Sequence, residues 1–317
     1  MLKLAEPVNT PVRKRYADGM SAVRNQQPSK DDITYSHLAM CQVYLPYTKQ
    51  EADFWEVRQG NLTLRIQAAR YDKGTKTHGL PYGTRARLLV FLLNELAIEQ
   101  QSDTFIIAPT ISRLTQVLNI GRTGPNINDI KEQFRALCTA SFTFEWSNEE
   151  YSTLLKNFFI ISELIIPKAL SGMEDFSKVR RGPKGIHIKL DHEYFQSLMT
   201  KAIPLDKRAI SALQNNPMCL DVYSWLAQRL HRIQPGKPQF VAWENVRRQF
   251  GWSFKRMKHF KAHFRECLLN VRMQYPQARI EEKVNEGYLL HLSPPPVPPK
   301  TSLVMDGFRQ DPPKLGK

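Results

Sequence analysis

Residues 243–272, WENVRRQFGWSFKRMKHFKAHFRECLLNVR, decide how the chain is read. Trp243, Val246 and Phe250 recur at helical spacing, and Gly251-Trp252-Ser253 predicts a turn. From Phe254 a second apolar stripe runs through Met257, Phe260, Phe264, Leu268 and Val271. Ser253 stands where an N-cap would, and Gly251 where the preceding helix would end. Seven of the eleven residues 255–265 are Lys, Arg or His, and the first acidic residue after them is Glu266. A solvated charged face is the commoner meaning of such a pattern, but cationic density this high on one side favours a helix that reads duplex DNA. On that reading Lys255, Lys258, His259 and Ala262 face base edges, Ala262 leaving room for close approach. Arg256, Lys261, His263 and Arg265 diverge toward phosphates, and Arg247, Arg248, Lys207 and Arg208 are expected to grip the backbone on either side.

The charge distribution agrees. The formal net charge is +15, yet residues 80–183 hold 11 basic and 11 acidic side chains while residues 184–275 hold 16 and 6. The positive field belongs to the third quarter of the chain, where it would attract a polyanion. At 317 residues, 42% hydrophobic and 24% charged, the composition is that of a globular protein with two domains as the expected division. No run approaches the roughly 18 apolar residues of a membrane span, and the N-terminus lacks the apolar centre of a secretion signal, so the expected location is the cytoplasm. Cys41, Cys138, Cys219 and Cys267 lie far apart without a CxxC pair, which predicts neither a zinc site nor a disulfide framework.

Working outward, the pattern predicts an α+β fold of two tandem winged helices, each a helix-turn-helix with an added β-wing. Residues 1–36 read as a flexible basic segment, with order beginning near His37. The first unit, 37–183, opens with strands at 38–45 and 61–69. A leucine-rich helix follows over Thr84–Ile98, then a strand at Phe105–Ile107 and a helix with Ile111, Leu114 and Leu118. A helix from Asn126 and two β-rich runs, 142–146 and 158–166, complete it. The second unit, 184–292, repeats the order. A strand at Ile186–Leu190 leads to short helices at 191–199 and 205–213, then to a helix begun by Asn216-Pro217. A strand at Phe240-Val241, the two helices of the opening stretch and a wing turning at Asn285-Glu286-Gly287 follow. The proline-rich tail, 293–317, reads as a rigid exit or strap rather than a peptide ligand.

The two units differ in charge. The 126–138 helix exposes Asn128, Asp129, Glu132 and Arg135, and the wing tip Ser147-Asn148-Glu149-Glu150 is acidic. Asn128 and Arg135 are therefore only weak DNA candidates, and the 158–166 run is available for pairing with a second copy if it is not simply core. The sequence predicts no enzyme and no cofactor. It lacks a GxxxxGK[ST] phosphate loop and the His-hydrophobe-His motif of a tyrosine nickase. His259 and His263 have the spacing of two metal ligands, but Phe260 stands where HExxH has Glu and no third ligand is evident.

Five blocks together carry a resemblance: LPYGTRARLL (80–89), IPLDKRA (203–209), LDVYSWL (220–226) with Arg229-Leu230, the 243–251 helix, and SPPPV (293–297). In this order they resemble the RepA-type plasmid replication initiators over about residues 38–299. The resemblance implies a bacterial protein that binds repeated duplex sites (iterons) at a plasmid origin and helps melt a neighbouring A·T-rich segment. It also implies recruitment of the host initiator and replicative helicase, and a monomer–dimer equilibrium in which the first unit serves dimerisation and the second reads sequence. The alternative is a transcriptional repressor of the same fold, on an operator that includes its own.

Overall fold

A computed structural model describes residues 11–71, 73–74, 76–147, 154–165 and 185–299. The chain opens with helix α1 (Pro11–Asn25) and strand β1 (Ile33–His37), so residues 11–36 are not the flexible arm their composition predicts. Tyr16, Met20 and Val23 recur on one side of α1, and Tyr16 is buried. Gln274 donates from Nε2 to the Tyr16 carbonyl at 3.0 Å, and a Cβ on Gly19 would lie 2.6 Å from that of Ala212. A short apolar stripe thus ties a basic helix down where composition alone would release it. Residues 38–45 are not a strand either. Ala39–Cys41 form a 3-10 turn that His37 begins by accepting the Ala39 N–H on Nδ1.

Strands β2 (Phe54–Gln59) and β3 (Leu62–Gln67) pair antiparallel, with Leu62, Leu64 and Ile66 inward as the alternation predicts. The short strands β4 (Arg70–Tyr71) and β5 (Lys76–Thr77) precede α2 (Gly83–Gln100), whose leucines are core. There follow β6 (Thr104–Ala108), α3 (Ile111–Val117), capped by the Thr110 hydroxyl, and α4 (Gly124–Thr139), capped by the Thr123 hydroxyl. Strands β7 (Ser141–Trp146) and β8 (Leu154–Phe158) extend the β2–β3 pair into a four-stranded sheet. The expected run 158–166 is therefore two elements. Phe158 ends β8, whereas β9 (Ile161–Ile165) pairs with β10 (Ile186–Leu190), which also pairs with β6. Ile186–Leu190, expected to open the second unit, is the centre of the first unit's sheet. Residues 148–150 of the expected wing tip, like residues 1–10 and 300–317, lie outside the described residues.

The chain continues through α5 (His192–Lys201), β11 (Ala202–Asp206) and α6 (Lys207–Leu213). The expected helix at 205–213 begins two residues later because Leu205 and Asp206 pair with β1, and Asp206 then caps α6 by accepting the Arg208 N–H. Asn216 accepts the Met218 and Cys219 N–H groups to open α7 (Pro217–Arg229). After β12 (Gln239–Ala242) come α8 (Trp243–Phe250), α9 (Met257–Gln274), β13 (Ile280–Lys283) and β14 (Gly287–Leu290).

The same arrangement occurs twice. In the first half a helix, a strand and two helices are followed by β7 and β8, which join the β2–β3 sheet, and then by β9 and β10, which give the sheet order β6-β10-β9; in the second the two helices lead directly into the last two strands and the order is β12-β14-β13. In both, the last strand inserts between the other two. The halves meet through the β1–β11 pairing and a buried ion pair, in which Arg87 of α2 donates from Nε and Nη2 to the Asp221 carboxylate of α7, each at 2.7 Å. Arg87 also donates to the Leu45, Pro46 and Gly83 carbonyls.

Candidate nucleic-acid interface

The basic helix stands on an aromatic base. Trp243, at the first position of α8, is fully buried and meets Phe260, Phe264 and Tyr288 edge-on, with centroids 4.9–6.2 Å apart. Phe250 stacks on Tyr44 of the first half and packs against Trp225 and Phe264. Between α8 and α9 the turn is six residues, not three, and α9 starts at Met257 with Arg256 at the N-cap position. Ser253 caps nothing there. Arg247 explains the longer turn, because its Nη2 donates to the Phe254 and Lys255 carbonyls and holds those residues out of the helix. Gly251 ends α8 at φ −106°, so its role is space rather than a left-handed turn. A Cβ there would lie 2.8 Å from both Arg247 Cγ and Phe260 Cδ2.

This geometry sorts the expected contacts. Lys258, His259 and Ala262 are exposed within the first two turns of α9, whose first turn holds no acidic residue. Lys255 and Arg256 are exposed just before it, and Arg248 is exposed on α8. Lys261 is half-buried, its Nζ 5.1 Å from the Trp243 ring centre. His263 is also half-buried, against Phe254 and within 3.4 Å of Asn216 Nδ2. Arg265 is committed elsewhere, because its guanidinium forks onto Glu282 of the wing at 2.6–3.2 Å. Lys207 pairs with Glu95 and Arg208 with Asp206, the latter also donating to the Ala22 carbonyl, so both are spent on internal partners. Of the residues expected to grip the backbone, Arg248 and Arg256 are exposed, Lys261 also reaches the Asn285 carbonyl at 3.5 Å, and Arg247 holds the turn.

The β13–β14 hairpin, the expected wing, adds no positive field. Glu281 pairs with Lys283, Glu282 holds Arg265, and Glu286 sits in the turn. In the first half, Asn128 and Arg135 of α4 are exposed, Glu132 is paired with Lys49 at 2.7 Å, and Asp129 is exposed. Charge along α4 is mixed, as read from the sequence. Among the described residues no cluster of His, Cys, Asp and Glu could hold a metal, and no helix is long and apolar enough to cross a membrane.

Sequence reasoning missed one group of residues near this face. Trp252, in the α8–α9 turn, meets Trp55 of β2 edge-on at 4.3 Å and Tyr47 at 5.3 Å, so the turn is buttressed by the first half. The signal lay in two tryptophans about 200 residues apart, which no local pattern connects.

Comparison with known proteins bears on the same stretch. Residues 110–245 match the family of plasmid encoded RepA proteins. The match runs from α3 to the start of α8 and bears out the resemblance over that stretch, which holds the blocks at 203–209 and 220–226. It ends before the basic helix. Two crystal structures of domains 2 and 3 of RctB, one from selenomethionine derivatives, share the fold. Each has a TM-score of 0.50 and 11% identity over 81% of this chain, and over 96% and 98% of their own. Among curated proteins none matches the chain.

Proposed function

We propose that the protein is a plasmid replication initiator that binds directly repeated duplex sites through two tandem winged helices, at 83–190 and 217–290. The observation that carries this reading is the exposed, acid-free start of α9, with Lys258, His259 and Ala262 on a rigid aromatic base. A helix presented in this way enters the major groove, where lysine and histidine reach guanine acceptors. The first winged helix, with its mixed face on α4, makes auxiliary contacts through Asn128 and Arg135 and serves self-association. The family match supplies replication, and the charge supplies DNA; host initiator and helicase are the partners that reading implies. No step calls for a cofactor or for catalysis.

Footprinting on the replicon that encodes the protein tests this. Two or more equally spaced, same-facing protections near an A·T-rich segment are expected. A single palindromic protection over a promoter, with none elsewhere, would assign the protein as a repressor instead.

A further inference from the structure

Residues 69–79, ARYDKGTKTHG, form an element that adds nothing to the core of either half. Strands β4 and β5 pair there with Arg70 opposite Thr77 and Tyr71 opposite Lys76, and every described residue of 69–77 is exposed. A two-stranded ribbon this short does not hold itself together. This one is held at its base and across its tip. The Arg70 guanidinium pairs with Asp53 and donates from Nη1 to the Gly74 carbonyl at 3.0 Å. The Gly74 N–H donates to the Tyr71 carbonyl at 3.1 Å, and the Tyr71 ring stacks on His78 with centroids 4.6 Å apart. At the tip Lys73 has no ion-pair partner among the described residues. A hairpin fixed in shape without contributing to the core presents its tip to something outside the chain.

Charge and position say what that is. Arg70, Lys73 and Lys76 stand against one acid, Asp72, with His78 beside them, a balance that attracts a polyanion. Segment 46–55, on which the hairpin is based, lies between α4 and the α8–α9 turn. Its Tyr47 meets Trp252 of that turn at 5.3 Å, its Lys49 pairs with Glu132 of α4 at 2.7 Å, and its Asp53 holds Arg70. Past the hairpin, Tyr82 donates its N–H to Gln133 of α4 at 2.8 Å. A duplex lying across α4 and the start of α9 therefore passes over 46–55, with the hairpin at its side. There the hairpin supplies the positive charge that the mixed face of α4 lacks.

We propose that the 70–77 hairpin is a DNA-binding arm, which lies against the phosphate backbone alongside α4 while α9 occupies the major groove, with Lys73 neutralising a phosphate. The proposal rests on the DNA-binding reading above and adds a contact to it from the first unit. Each phosphate neutralised steepens the salt dependence of binding by about 0.9 in log K per log salt.

The test measures full-length protein on a duplex selected by the wild type from a random pool, titrated across a salt series and footprinted with hydroxyl radicals. Lys73→Gln keeps most of the side chain and removes its charge. It is expected to weaken binding roughly 3- to 10-fold and to flatten the salt slope by about 0.9. Backbone protection should disappear locally, away from the guanines that α9 reads, and the melting temperature should stay that of the wild type. Lys73→Arg should restore both slope and protection. An unchanged slope in Lys73→Gln overturns the arm while leaving the reading by α9 intact. A flatter slope with wild-type protection throughout assigns Lys73 to the long-range field alone and also overturns it. Failure of the wild type to select any duplex overturns both readings.

Discussion

Arg265 shows why a cationic residue on the right face is not automatically a DNA contact. The wheel position alone assigns it to phosphate, but Glu282 holds it in a fork, and such bidentate pairs are well oriented. Removing the carboxylate charge should release it. Glu282→Gln is therefore expected to strengthen binding to any duplex and to steepen the salt slope by about 0.9, read from titrations at several salt concentrations. Unaltered slope would mean that Arg265 does not reach the backbone even when free. The same comparison explains what local pattern conveys here. Phe260, Phe264, Leu268 and Val271 are buried as their spacing requires, whereas the partners of Lys207, Arg208 and Arg265 come from remote or wing segments that helical periodicity does not contain.

The packing of the two helices at 243–274 depends on close approach at one position. Adding a methyl at Gly251 would drive it against Arg247 and Phe260, which fix the turn and the floor of α9. Gly251→Ala should cost about 1–3 kcal/mol, the usual range for overpacking, seen as a lower urea midpoint. A midpoint equal to the wild type's would show that the turn relaxes freely. Element boundaries were legible where a side chain caps or alternates, as at Asn216 and Leu62-Leu64-Ile66. They were misread where a tertiary partner intervened: Arg247 delays α9 to Met257, and β1 draws Leu205 and Asp206 out of a helix.

Strand β1 also carries a pH sensitivity. His37 stacks between Phe144 and Tyr194, accepts the Ala39 N–H on Nδ1 and so donates from Nε2 to Ser197. Burial, with smaller contributions from Lys201 and Lys156, lowers its pKa from 6.5 to about 3; burial likewise takes His231 to about 4. Between those values and 6.5 the unfolded chain binds more protons than the folded one, so stability falls as pH drops. The slope is up to about 1.4 kcal/mol per pH unit for each site. Chemical denaturation at pH 7.5 and 5.5 should show this loss, and His37→Gln should lose less over the same interval. An equal loss in that variant would remove His37 from the account.

Among the described residues, the two halves are joined by contacts that no linear reading could assemble: the β1–β11 pair, Trp252 against Trp55, Asn119 against Ser211 and the Arg87–Asp221 ion pair. With side chains 4% and 7% exposed, that pair has no water to fall back on. Asp221→Ala would leave a buried guanidinium uncompensated and is expected to destabilise by about 3–5 kcal/mol. Joint replacement by Arg87→Met and Asp221→Leu should cost less, because no charge is then stranded. A double variant no more stable than Asp221→Ala in thermal melts would contradict that. The mixed α+β class was readable because it rests on local composition and period. The sheet that claims Ile186–Leu190 for the first unit was not, since its partners lie about 80 residues upstream at Thr104–Ala108.

The central claim is that the exposed start of α9 lies in the major groove and selects the site. Guanine-N7 methylation interference on the selected duplex, with wild type and the Lys258→Ala variant, reads that contact directly. Lys258→Ala should lose sensitivity at one guanine of each repeat and about 1–3 kcal/mol of binding to the selected duplex, with less loss on a random one. An interference pattern and affinity identical to the wild type's would contradict it.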